Sequence, residues 1–155
     1  MHFLGFIDVV LASFIFGGNI WFFFLQSPTL IGFVGRDKFV PIQMRLTKLL
    51  FRAVSVVAIL LVVVAWFANL NTQAMLGADL TLAAALIANF FIIPRALKAG
   101  GKGRQETQAA GGDHSITKFA SEGTGPSASF WHRMVVLFVV LILVGALLNL
   151  YAVTA

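Results

Sequence analysis

Four long apolar runs decide what this chain can fold into. A helix needs roughly 20 apolar residues to cross about 30 Å of hydrocarbon. Leu4–Leu25, Ala53–Leu70, Met75–Ile93 and Met134–Val153 all qualify. The predicted fold is all-α: a four-helix antiparallel transmembrane bundle, with a basic amphipathic extension at the start of helix 2. The helices are expected at about residues 4–25, 38–70, 75–95 and 130–153, in one transmembrane domain. Composition agrees, because 59% of the 155 residues are hydrophobic and 11% are charged, against about 25% charged in a soluble domain. The mean hydropathy is +0.94. The first run resembles a signal peptide only superficially. His2 alone precedes it, it spans about 22 residues against the usual 7–15, and no small-residue cleavage site precedes Gln26. It is expected to be a retained spanning helix.

The stretch Arg36–Arg52 reads as a helix that starts in water and ends in lipid. At about 100° per residue, Lys38, Arg45, Lys48 and Arg52 share one stripe, with Phe39, Ile42, Leu46 and Leu50 roughly opposite. Asp37 is the expected N-cap, and Pro41 is expected in the first turn. Asn71-Thr72-Gln73-Ala74 is too short for anything but a tight turn between antiparallel helices. Gln26–Arg45 is read as a first loop. The segment of about 100–127 is rich in Gly, Ser, Thr and Ala, buries too little surface to offset its ordering entropy, and is expected to be a flexible linker with a short helix near Ser115–Ala120.

All eleven Lys and Arg residues fall on two alternate connections. Arg36, Lys38, Arg45, Lys48 and Arg52 border the first. Arg95, Lys98, Lys102, Arg104, Lys118 and Arg133 border the third. Cytoplasmic loops accumulate Lys and Arg, so both termini are expected outside (periplasmic or extracytoplasmic) and both long loops in the cytoplasm. The net charge of +5 serves orientation, and no nucleic-acid partner is implied. Trp21, Trp66 and Trp131 lie towards helix ends, as interfacial anchors do.

Polar residues in spanning helices are costly and face the bundle interior. Threading the helices in alternation sorts them into two layers. Asp8, Asp79 and Asn149 form the outer one, rimmed by Asn69 and Asn71. Asn19, Arg52, Asn89, Arg95 and His132 form the inner one, with Gln43 folded towards it. Asp8 is expected to be a solvated first-turn carboxylate; the alternative is a proton or cation acceptor inside the bundle. Arg52 is expected to snorkel to the headgroups, or else to bind an anion or lipid phosphate with Arg45 and Lys48. Asn19 and Asn89 are expected to hydrogen-bond across two helices. Ser13/Gly17, Gly17-Gly18, Ala84/Ala88 and Gly145-Ala146 are small-residue signals for close helix approach.

No cofactor, metal site or catalytic site is expected. There is no cysteine. His2 and His132 belong to opposite faces and cannot share a haem or an ion, His114 belongs to the flexible linker, and no His-x-x-x-His or Glu-x-x-His pair occurs.

Phe16-Gly-Gly-Asn-Ile-Trp21, Phe33-Val-Gly-Arg-Asp-Lys-Phe39 and Gln43 resemble the first-helix and loop pattern of the transmembrane protein 205-like family. Asn89-Phe-Phe-Ile-Ile-Pro-Arg95 resembles the close of that family's third helix, and Phe130-Trp-His132 the opening of its fourth. Leu46-Thr-Lys48 stands where the family has Phe-Pro. The resemblance implies a small four-helix membrane protein of a family with unknown function, whose animal members are associated with vesicle or plasma membranes and drug resistance.

The expected function is binding of membrane lipid or a small solute, without catalysis, at a cytoplasmic-side polar layer made of Asn19, Gln43, Arg45, Lys48, Arg52, Asn89, Arg95 and His132. The alternatives are an accessory subunit of a larger membrane complex, or an oligomeric transporter, through contacts with other membrane-protein subunits or self-association.

Overall fold

A computed structural model describes residues 3–99 and 128–154; the expected linker and its short helix lie outside them. The described residues form four helices and no strand. Helix α1 is Phe3–Val34, α2 is Arg36–Phe67, α3 is Thr72–Ala99 and α4 is Ala128–Thr154. Each contains a stretch long and apolar enough to cross a membrane. This is a multi-pass membrane protein with a four-helix transmembrane bundle.

The exposed surface fits that reading. Phe14, Phe24, Val56, Phe67, Leu76, Phe90 and Leu147 all face outward. The interior is built from small and branched residues, among them Ala12, Ile15, Ala58, Leu61, Ala85, Ile142 and Ala146. Lipid is as apolar as leucine, so van der Waals fit and close approach hold such helices together. α3 and α4 make the most extensive pair. A methyl built on Gly77 would lie 2.5 Å from Asn149 N, and one on Gly145 would lie 2.5 Å from Thr81 Oγ1.

α1 is longer than expected: it continues past Leu25 to Val34. Pro28 ends nothing, because the residues Trp21–Gln26 just before it form a π turn. A proline ring clashes with the carbonyl four residues back and removes a donor, and the wider turn absorbs both effects. The same device recurs in α3, where the π turn Ala88–Ile92 precedes Pro94. In each case the proline stands two residues beyond the π turn.

The connection between α1 and α2 is therefore a corner at Gly35, where a twenty-residue loop was expected. Gly35 has φ 73° and ψ 162°, a combination essentially reserved for glycine. It also takes the N-cap position of α2 with no side-chain cap, so Asp37 lies inside the helix and Pro41 beyond its first turn. Ser27 and Gln43 stand eight residues on either side of this corner, and a 2.6 Å hydrogen bond from Gln43 Nε2 to Ser27 Oγ joins them.

At the other end, α2 closes with Asn69 at φ 50°. The amides of Asn69 and Leu70 donate to Trp66 O at 3.1 Å and Ala65 O at 3.2 Å, which is the Schellman arrangement. Asn71 then caps α3 by accepting from Ala74 N at 2.8 Å, and its Nδ2 reaches Ala152 O of α4 at 2.8 Å.

Candidate functional site

The bundle has two polar ends, the corner end around Gly35 and the turn end around Asn71. The predicted site residues belong to the corner half.

There the π turn of α1 lies beside the first turns of α2. Trp21, Phe22 and Gln26 of α1 and Leu46, Leu49, Leu50 and Ala53 of α2 line an open groove of about 340 Å³. Trp21 and Gln26 also border a second groove of about 290 Å³ with Leu25, Thr29, Leu30 and Phe33. The walls are apolar, and Gln26 is the polar residue common to both. Its Oε1 is buried without a hydrogen-bond partner, as is Gln43 Oε1. One of these acceptors, Gln26 Oε1, therefore awaits a donor at the apolar grooves.

Part of the basic stripe adjoins the face of α2 that walls the larger groove. Arg45, Leu49 and Arg52 follow one helical ridge at i, i+4 and i+7, and Leu49 is in the groove wall. Arg45, Lys48 and Arg52 are all exposed. The arrangement puts exposed cationic side chains on the same helix that forms one wall of an open apolar groove.

The other expected members do not join this cluster. Asn19 is buried, but its Nδ2 donates to Ile15 O of its own helix at 2.8 Å and its Oδ1 has no partner. The cross-helix bond expected of Asn19 is therefore not formed; an amide can satisfy its donor on the preceding turn without crossing to another helix. Asn89 is half-buried in the second π turn. Arg95 turns outward, donates to Phe91 O at 3.1 Å and lies 5.7 Å from the Phe91 ring centroid, a cation–π distance. His132 is exposed on α4. The eight residues thus divide into the exposed basic stripe Arg45, Lys48 and Arg52, Gln43 on the opposite side of α2 where it bonds Ser27, and four scattered positions. Reading by membrane depth put them at one level but not on one face.

Gln26 and Ser27 were missed. A polar pair followed by proline reads as a helix stop, and only the π turn makes it a helix interior. Gly17 and Gly18 were read as contact points, yet a methyl on either would meet nothing within 4 Å.

The turn half holds the most deeply buried polar group. Asp8 of α1, Gly77 of α3 and Asn149 of α4 each lie five residues from the helix end there, about 7.5 Å in at 1.5 Å per residue. Asp8 and Asn149 are both 0% exposed, so Asp8 is not the solvated first-turn carboxylate expected. Asp79 is exposed.

Among families with a characteristic sequence pattern, one matches residues 10–105, which covers α1 from Val10, all of α2 and all of α3. The chain belongs to the family described as domain of unknown function DUF4149. No curated protein and no solved structure matches it. The matched segment of this DUF4149 protein contains the corner, both π turns and the basic ridge. Asp8 and Asn149 fall outside it.

Proposed function

We propose that this DUF4149 protein binds an anionic phospholipid, without catalysis, in the groove between the π turn of α1 and the start of α2. One observation carries the reading: an apolar groove walled by Leu49, which stands between Arg45 and Arg52 on one ridge of α2, with the buried acceptor Gln26 Oε1 at its other wall. An acyl chain lies against Trp21, Phe22, Leu46 and Leu49. The phosphate sits at the Arg45 and Lys48 level, Arg52 reaches up to it, and a headgroup hydroxyl or ammonium donates to Gln26.

The direction of the chain belongs to the same proposal. The corner end, with the basic ridge and the α3–α4 connection, faces the cytoplasm; both described helix ends at the Asn71 turn face outward. The uneven placement of the eleven basic residues supports it, and anionic cytoplasmic lipid is then on the side of the ridge. The likeness to the transmembrane protein 205-like pattern at Gln43 and around Phe33–Phe39 is consistent with a corner of functional importance.

Each Lys or Arg near an anionic surface contributes about 1 kcal/mol. The double substitution Arg45→Ala with Arg52→Ala should therefore weaken retention of anionic phospholipid by about 30-fold, read by native mass spectrometry of the purified protein against a zwitterionic lipid of equal chain length. Equal retention of both lipids by the unsubstituted protein, or unchanged retention by the variant, would remove the proposal.

A further inference from the structure

At the turn end three side-chain oxygens of two neighbouring residues are buried with nothing to satisfy them. Both carboxylate oxygens of Asp8 and Oδ1 of Asn149 are buried and have no hydrogen-bond partner. Asn149 lies within interaction range of the Asp8 carboxyl, yet neither Asp8 oxygen closes a hydrogen bond by distance and angle. The Asn149 Nδ2 is directed instead to Ala74 O at 3.1 Å. Its backbone is fixed as well, because α4 presses onto Gly77 of α3 with no room for a methyl between them. The Asn149 backbone therefore cannot move away from α3 and α1 without opening the α3–α4 contact.

An isolated ionised carboxylate away from water costs far more than any packing gain there can offset. No described basic residue is near enough to neutralise it. Arg45 and Lys48 of α2, Arg95 and Lys98 of α3 and Arg133 of α4 belong to the corner half, and Arg52 stands at the middle of α2, 15 residues from Phe67, about 22 Å from that end at 1.5 Å per residue. Of the other titratable groups on the surrounding helices, Asp79 of α3 and Tyr151 of α4 are exposed. What these three acceptors lack is a positive charge.

We propose that Asp8 and Asn149, where α1 meets α4 beside Gly77, form an enclosed site for one small monovalent cation, a proton or a sodium ion. A proton on Asp8 turns one carboxyl oxygen into a donor, which Asn149 Oδ1 accepts, so two of the three orphan atoms are satisfied by one hydrogen bond. A sodium ion is instead coordinated by the same three oxygens, and no covalent bond changes. In both cases the layer becomes neutral. A site of this kind within a spanning helix is the usual role of an intramembrane carboxyl. It lies at the opposite end from the lipid groove and does not depend on it.

The test uses the full chain in detergent with no lipid added. Infrared difference spectra between the unsubstituted protein and Asp8→Asn isolate the Asp8 carboxyl from the other acids, and thermal unfolding is followed in sodium chloride and in choline chloride at equal ionic strength. A protonated-carboxyl band at neutral pH that is absent from Asp8→Asn, and that sodium leaves unchanged, identifies the proton. Loss of that band on adding sodium, with a rise in Tm that Asp8→Asn abolishes, identifies sodium. An ionised Asp8 in sodium-free buffer together with identical unfolding in both salts overturns the proposal. Asn149→Asp provides the second variant should Asp8→Asn fail to fold. It adds a further carboxylate oxygen, and should either raise sodium affinity about tenfold or add a second protonated band. Neither change, in a folded Asn149→Asp protein, also overturns it.

Discussion

At the scale of single residues, Gly35 determines whether α1 and α2 are neighbours at all. Its backbone angles lie where a side chain is strongly disfavoured, although there is open space for a methyl beside it. The constraint is therefore conformational and not steric crowding from neighbours. Gly35→Ala should destabilise the protein by about 1–3 kcal/mol, measured as unfolding in detergent, and should loosen the Gln43–Ser27 bond that spans the corner. A Gly35→Ala protein as stable as the original would mean that the corner is soft. Asp8 shows the opposite limit of what one residue reveals. Its place near the start of an apolar run was plain from the sequence. Its burial was not, because the residue that closes over it, Asn149, lies 141 positions away on a helix whose rotation no local pattern fixes.

At the scale of elements, two features separate what hydropathy can read from what it cannot. The four spans follow directly from apolar length, which is a sum over residues and insensitive to detail. The end of α1 does not, because Ser27-Pro28-Thr29 has the composition of a stop signal. In a helix with a π turn before the proline, the same residues continue the rod and bring Gln26 to a groove. Helix contacts are similarly divided. Gly145-Ala146 and Ala84/Ala88 were recognised as close-packing residues and are buried, whereas Gly17 has the same chemistry and touches nothing. A methyl at Gly145 would approach Thr81 Oγ1 to 2.5 Å and Gly77 O to 2.9 Å. Gly145→Ala should accordingly cost about 1–3 kcal/mol by forcing α3 from α4. Gly17→Ala should be neutral or stabilising by up to about 1 kcal/mol, since alanine is the better helix former. Parallel thermal unfolding of the two variants checks the pair; equal losses would contradict the α3–α4 contact described.

At the scale of the whole molecule, the arrangement separates two chemistries by the thickness of a membrane. The corner end has the basic ridge, the groove and the buried glutamine acceptors. The turn end has no lysine or arginine and encloses an unpartnered carboxyl. Four crossings place the two ends of the helical bundle's chain together, at the Asn71 turn, and leave the corner and the α3–α4 connection on the far side. The depth of each polar residue was legible in the sequence because depth follows from counting along a helix. Which of them meet was not, because that follows from rotation about each helix axis. That is why Arg45, Lys48 and Arg52 share a stripe of α2 while Gln43 turns to Ser27 and Asn19, Asn89, Arg95 and His132 disperse.

The proposed lipid site and the sense of the charge asymmetry both depend on which end faces the cytoplasm. The chain has no cysteine, so single-cysteine variants report position without background. Thr72→Cys and Gly103→Cys, treated in intact cells with a membrane-impermeant maleimide, measure this directly. The account predicts that Thr72→Cys is labelled at once and Gly103→Cys only after the membrane is opened. Labelling of Gly103→Cys in intact cells, with Thr72→Cys protected, would contradict it.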